Sequence, residues 1–228
     1  SLEDDELDDI RRCRPGRCGV KLSVSEMETL ARVADGAGEE WRPAVQQAFR
    51  EAMAARVRGY LQGGFEALPA IADHDGAPVV PVDRTAALSA RFSFLARAWP
   101  AFGFHLVHHT ASRLSTRESF VYWSSERLRG RPVLSATHVT IVTGQDDGHP
   151  AVVVAGVQVF ATHYTDASIG LTTLTVGRDG WNYLAYVNHS DVDVLAGRLG
   201  GLVRVFPVAT KTSSRRDVTS ALVRPVFR

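Results

Sequence analysis

The sequence predicts an α+β fold in one domain covering residues 1–228. Three observations carry that reading. Apolar residues recur at helical spacing through the first half. Four or five stretches rich in Val, Thr, Tyr and Phe, broken by turn residues, fill the region after about residue 117. The helical period then returns after Ser190. The expected layout is a mainly helical segment over 1–116, an antiparallel sheet over 117–190 and a C-terminal helical segment over 191–228. A sheet of five strands or more must cover its apolar face, and the flanking helices are the available cover.

Each element has a local reason. Leu7 to Arg12 predicts a short helix that stops at Cys13-Arg14-Pro15-Gly16-Arg17-Cys18. Ser23 stands three residues before Glu26, the spacing of a capping box, and Leu22, Met27, Leu30 and Val33 supply the apolar stripe behind it. Asp35-Gly36-Ala37-Gly38 closes that helix. A third helix starts near Trp41 with Pro43 in its first turn, where proline is tolerated. Val45, Phe49, Met53, Val57 and Leu61 recur every four residues along it, as a core-facing stripe does. Gly63-Gly64 interrupts the pattern, and Phe65 to Ile71 would extend it after a kink. Residues 73–83 read as a loop. A fourth helix is expected from Thr85 to Trp99, with Leu88, Phe92 and Leu95 on its apolar face and Pro100 ending it. His105, His108 and His109 follow in a short helix or loop.

The predicted strands are Ser119–Leu128, Val133–Thr143, Ala151–Thr165, Leu171–Val176 and Trp181–Asn188. Gly130-Arg131-Pro132, Asp146-Asp147-Gly148, Asp166 to Gly170 and Arg178-Asp179-Gly180 divide them. Links this short imply antiparallel pairing. Ser190 or Asp191 would cap a helix carrying Val192, Leu195, Leu199, Leu202, Val203 and Phe206. Ser213 to Val223 reads as a last helical stretch stopped by Pro225.

Composition narrows the classes of function. Of the 228 residues, 45% are hydrophobic and 22% charged, which is ordinary for a folded domain. A net charge of +1 lacks the basic excess of a nucleic-acid binder, so no nucleic-acid partner is expected. Charge is uneven along the chain: six of the first nine residues are acidic, and seven Lys or Arg accompany only Asp217 from Arg198 onward. The basic end is either a solvated face or a contact for an anionic lipid surface. No apolar run reaches the ~18 residues of a transmembrane helix. The only two cysteines, Cys13 and Cys18, flank a Pro-Gly turn that brings their sulfurs into bridging range, so a disulfide is expected and with it export to the periplasm or beyond. The chain opens on Ser1-Leu2 and an acidic segment, as a chain trimmed at its front would. The exported reading therefore places its signal peptide outside these residues.

Strands followed by a helix, over the last ~110 residues, are similar in element order to helix-grip domains of the START and SRPBCC type. That resemblance implies an apolar ligand held between helix and sheet, and it carries no functional residue with it. The phrases Tyr122-Trp123-Ser124-Ser125-Glu126, Ser135-Ala136-Thr137-His138, Ala161-Thr162-His163-Tyr164-Thr165-Asp166 and Tyr186-Val187-Asn188-His189-Ser190-Asp191-Val192-Asp193 resemble a group of uncharacterised exported bacterial proteins. Residues 13–22, Cys-Arg-Pro-Gly-Arg-Cys-Gly-Val-Lys-Leu, fit the same group. The resemblance implies export and transfers no activity.

Chemistry-bearing residues are few. His138 and His163 lie on predicted neighbouring strands and could bind a divalent metal through imidazole nitrogens, with Glu126 or Asp166 as the carboxylate. The plainer reading is that they are hydrogen-bonded sheet histidines, and a third is polar lining of a cavity or proton transfer. His105 and His109 share a helix face without a nearby carboxylate. No serine occupies a Gly-x-Ser-x-Gly elbow, and Gly197 to Gly201 lacks the Walker lysine. Residues 191–206 could rest on a membrane surface or pack on the sheet.

The leading expectation is an exported binding protein, not an enzyme, for an apolar or amphiphilic, lipid-like small molecule between sheet and helices. Tyr122, Glu126, His138, His163, Tyr164, Asp166 and Asn188 are the candidate ligand-binding residues. The alternatives are a metal-assisted hydrolase or lyase using the strand histidines, and an envelope-associated interaction protein with no small-molecule site. No cofactor is predicted beyond that divalent metal.

Overall fold

The structure is a computed structural model that describes residues 2–92, 99–108, 116–128, 130–146, 149–177, 179–193 and 217–227. Among the described residues, five α-helices precede a six-stranded antiparallel sheet, as expected of an α+β chain. The helices are α1 (Asp4–Arg12), α2 (Val24–Gly36), α3 (Trp41–Gly63), α4 (Pro81–Ser89) and α5 (Pro100–His108). The strands are β1 (Thr116–Leu128), β2 (Arg131–Asp146), β3 (His149–Ala161), β4 (Thr165–Val176), β5 (Asn182–Val192) and β6 (Asp217–Phe227). They pair in chain order, each with its successor.

Helix termini follow sequence chemistry. In α1, Asp4, Asp5 and Glu6 occupy the first turn and Arg11 and Arg12 the last, each sign opposing the helix dipole. The Ser23–Glu26 capping box at the start of α2 forms in both directions. Helix α3 buries Trp41, Val45, Phe49, Met53, Arg56, Val57 and Tyr60. Leu61, expected on that stripe, is 51% exposed. A strict four-residue repeat drifts about 40° per step on a 3.6-residue helix, so Leu61 has turned about 160° from Val45. Tyr60 has turned about 60° and takes the core position instead.

Six boundaries depart from expectation. After Gly64, whose φ is 69°, the chain makes one short 3₁₀ turn over Gly64–Ala67 rather than a longer helical extension. Pro81 opens α4, four residues earlier than expected, and α4 ends at Ser89. Pro100 opens α5, because a proline's missing N–H costs nothing in a first turn, and residues 93–98 of the expected fourth helix lie outside the described residues. The turn between β3 and β4 falls at residues 162–164, where Tyr164 has φ 64°, so Asp166 to Gly170 lie inside β4. Ser190 and Asp191 lie in β5 and cap no helix. The helix expected over 213–223 is the edge strand β6 from Asp217 onward, where Pro225 pairs with Tyr183 and is tolerated because it sits on an edge. The expected helix over 192–206 lies almost wholly outside the described residues, and Val192 ends β5.

The sheet has two unlike faces. On the inner face Ala136, His138, Thr140 and Val142 of β2, Val153, Ala155, Val157 and Val159 of β3, and Ala167, Ile169 and Leu171 of β4 are buried. Helix α3 crosses this face, with Arg56 5.6 Å over the Phe160 ring and Tyr60 bonded to His138. Helix α4 packs on β4 and β5. The alternate residues, among them Thr137, Val139, Gly156, Gln158, Gly170 and Asn188, point the other way and are only half-buried.

Candidate functional sites

Among the described residues, the gaps between helices and sheet are small, two of them about 20 and 10 Å³ and too small for any ligand. The candidate residues that point inward serve this packing. His138 takes Tyr60 on Nδ1 at 2.7 Å and Ser119 on Nε2 at 2.6 Å. Burial pushes the Tyr60 phenol far above its ordinary value, so it stays a neutral partner. Tyr60→Phe should destabilise the fold by about 1–2 kcal/mol, read as a lowered urea midpoint with an unchanged slope. His163 is buried against Glu6 of α1, Nε2 to Oε1 2.6 Å, and ties the N-terminal helix to the β3–β4 turn. Tyr164 supplies that turn's left-handed backbone, and its carbonyl accepts from Asp193 N at 2.8 Å. Glu126 is exposed on β1. Among the described residues, neither His138 nor His163 joins two further ligand atoms able to surround a metal.

Two sites remain. The first is a depression of about 290 Å³ on the outer face. Its floor is Gly156 and Gly170, which pair directly across β3 and β4. Val139 lies beyond Gly156 on one side and Asn188 beyond Gly170 on the other. Two adjacent positions without side chains leave a trough where every other cross-strand pair would stand up from the sheet. Tyr122 and Tyr186 rise on either side of it, 44% and 36% exposed. Asn188 is held in place: its amide donates to Ser168 Oγ at 3.3 Å, and its carbonyl accepts from Ser190 Oγ at 2.7 Å. Ser168 and Ser190 hydroxyls are themselves 2.8 Å apart. Thr137, Gln158 and Thr172 add hydroxyl and amide groups, and among the described residues no acid, lysine, arginine or histidine lines the trough.

The second site surrounds Lys21, which is buried. Its ammonium lies 2.5 Å from Asp166, 2.5 Å from Asp193 and 3.4 Å from Asp73. Burial pushes its pKa down, but Asp166 first, then Asp73 and Asp193, outweigh burial and hold it above the ordinary lysine value. Burial and the neighbouring Asp166 push the Asp193 carboxyl up to about 6 against the pull of Lys21. His74 approaches from the surface, Nδ1 2.8 Å from Asp73 and Nε2 3.6 Å from Asp193.

The expected disulfide is present and organises this second site. Cys13 and Cys18 are bridged with their Cα atoms 4.5 Å apart. The loop they close donates Gly16 N to Ala72 O at 2.8 Å and Cys18 N to Asp73 O at 2.9 Å, and Arg17 bridges to His74. The segment bearing Asp73 and His74 is thus pinned to the disulfide loop. Between them opens a cavity of about 1080 Å³ lined by Asp9, Arg12, Arg14, Arg17, Asp73 and His74 among others.

The structure therefore divides the expected ligand-binding set. Tyr122 and Asn188 come together on the outer trough, Asp166 belongs to the Lys21 cluster, and His138, His163 and Tyr164 serve packing and turns. Sequence reading missed Gly156, Gly170 and Tyr186, whose meaning depends on cross-strand register. It also missed Lys21, Asp73 and His74, which lay in segments read only as turn and loop. No described helix is long and apolar enough to cross a membrane. No known protein family, curated protein or solved structure matches this chain.

Proposed function

We propose that the chain is an exported binding protein whose ligand is a neutral, amphiphilic small molecule seated in the outer-face trough. The carrying observation is the paired Gly156 and Gly170 floor between Tyr122 and Tyr186, with Asn188 held by Ser168 and Ser190. Tyr, Ser, Gly and Asn are the residues that antibody combining sites use, because tyrosine offers broad contact at low entropic cost while the others adapt their hydrogen bonds. A lining without acids or bases has no partner for a buried charge, which favours an uncharged ligand. Hydroxyl and amide groups beside two aromatic rings suit a molecule with an apolar face and several hydroxyls, such as a glycoside. The Cys13–Cys18 disulfide supports an oxidising compartment.

The reading is tested by titrating n-octyl β-D-glucoside below its micellar concentration into isotopically labelled protein. Shifts concentrated at the Gly156 and Gly170 amides are expected. A β-carbon on Gly170 would stand 3.4 Å from Asn188 and 3.6 Å from Tyr186, so Gly170→Leu should fill the trough without touching the core and abolish those shifts. Tyr186→Ala should weaken binding about tenfold. Shifts that ignore both substitutions, or that fall elsewhere, would remove the trough from consideration.

A further inference from the structure

Among the described residues, three carboxylates, those of Asp73, Asp166 and Asp193, converge on one buried ammonium. Charges are seldom left uncompensated in a buried site. Asp73 sharpens the point. Its side chain is 4% exposed, and its Oδ1 is buried yet accepts no hydrogen bond. That oxygen lies 2.8 Å from His74 Nδ1 without a hydrogen bond between them, close enough for both atoms to share a cation.

The geometry points to a divalent transition-metal site formed by Asp73, His74 and Asp193, with Zn²⁺ the best-fitting ion. One ring nitrogen of His74 and one oxygen from each aspartate lie mutually within 4.8 Å. Zinc bonds of about 2.0–2.2 Å place neighbouring ligand atoms ~3–4 Å apart, which small side-chain rotations reach from here. Imidazole with two carboxylates suits Zn²⁺ better than Ca²⁺ or Mg²⁺, which prefer all-oxygen shells. A dication would offset the excess of carboxylates over cations among the described residues. Asp166 remains 2.5 Å from the Lys21 ammonium and keeps that group paired as the metal takes Asp193. Three protein ligands leave a coordination position free beside the 1080 Å³ cavity that His74 and Asp73 help to line, the pattern of a reactive or exchangeable site rather than a closed structural one. None of these residues lines the outer-face trough, so the inference stands apart from the binding proposal.

Calorimetric titration of Zn²⁺ into the oxidised, chelator-treated full chain tests it. One ion per chain is expected. The His74 ring is 55% exposed, so His74→Ala should leave the unfolding midpoint near that of the parent while weakening Zn²⁺ binding by ~10–100-fold or more. Co²⁺ added to the unaltered chain should shift the His74 ring resonances paramagnetically, a readout that needs no variant. Absence of Zn²⁺ uptake would overturn the site. So would uptake that His74→Ala leaves within threefold of the parent, or Co²⁺ shifts on other histidines with none on His74.

Discussion

Lys21→Met should destabilise the protein by about 3–5 kcal/mol, measured by urea unfolding at neutral pH. The substituted side chain keeps most of the aliphatic length, so lost packing contributes little. What remains is electrostatic. Lys21 is the ammonium at which Asp73, Asp166 and Asp193 converge, and its side chain is 4% exposed. Without it, three carboxylates from separate parts of the chain face one another in a largely dry pocket. The loss should exceed that of any surface pair, such as Arg42 with Asp8, where both side chains are nearly half exposed. Asp166→Asn introduced into Lys21→Met should recover part of the loss, because it removes one repelling charge. A loss near 1 kcal/mol would mean that water or counter-ions already screen the cluster.

Arg56→Met is expected to cost a similar amount, about 3–5 kcal/mol, and to show a distinct pH dependence. Arg56 grips Glu26 with two nitrogens, its Nε lying 2.7 Å from Oε1, and donates to the Lys21 carbonyl at 3.1 Å. The same Glu26 carboxylate accepts from Ser23 N at 2.7 Å and Ser23 Oγ at 2.8 Å. One guanidinium thus joins the α2 cap, the middle of α3 and the sheet through Phe160. Burial raises the Glu26 pKa, but Arg56 and Ser23 outweigh it and hold the carboxyl below its usual value of 4.5. A depressed acid contributes stability that is present above pH 4.5 and is lost as pH falls through the folded value. Removal of Arg56 reverses the balance, because burial then favours the protonated form. The gap between parent and Arg56→Met should therefore be widest at neutral pH and shrink below about pH 4.5. A gap that stays constant from neutral to acid pH would show that Arg56 acts through packing on Phe160 alone.

What could be read in advance was local chemistry. The Ser23–Glu26 cap needs only a three-residue spacing, and it formed as read. The Cys13–Cys18 bridge needed one turn, and α3 one period. Boundaries failed where one residue type serves two roles. Proline can stop or start a helix, and Pro81 and Pro100 each open one. Tyr164 gave no turn signal because a bulky residue seldom takes positive φ, so the break was assigned to the polar stretch after it. Residues 217–223 carry apolar side chains that suit either period, and pairing with β5 decided the matter. The sites were hidden more deeply. Gly156 and Gly170 form a floor only in one register of β3 against β4. Lys21 meets Asp166 across 145 residues, a contact that no local pattern encodes.

Those separations also set an order of events as the chain is made. Helix α1 is made well before the sheet, but the partner of its buried Glu6 is His163, 157 residues later. At roughly 5–20 residues per second, Glu6 waits about 8–30 s for that imidazole. The strands, by contrast, each pair with the next to appear, so the sheet can assemble progressively by short loop closures. Helix α1 can thus settle on α2 and α3 early, while its tie to the β3–β4 turn is among the last to form.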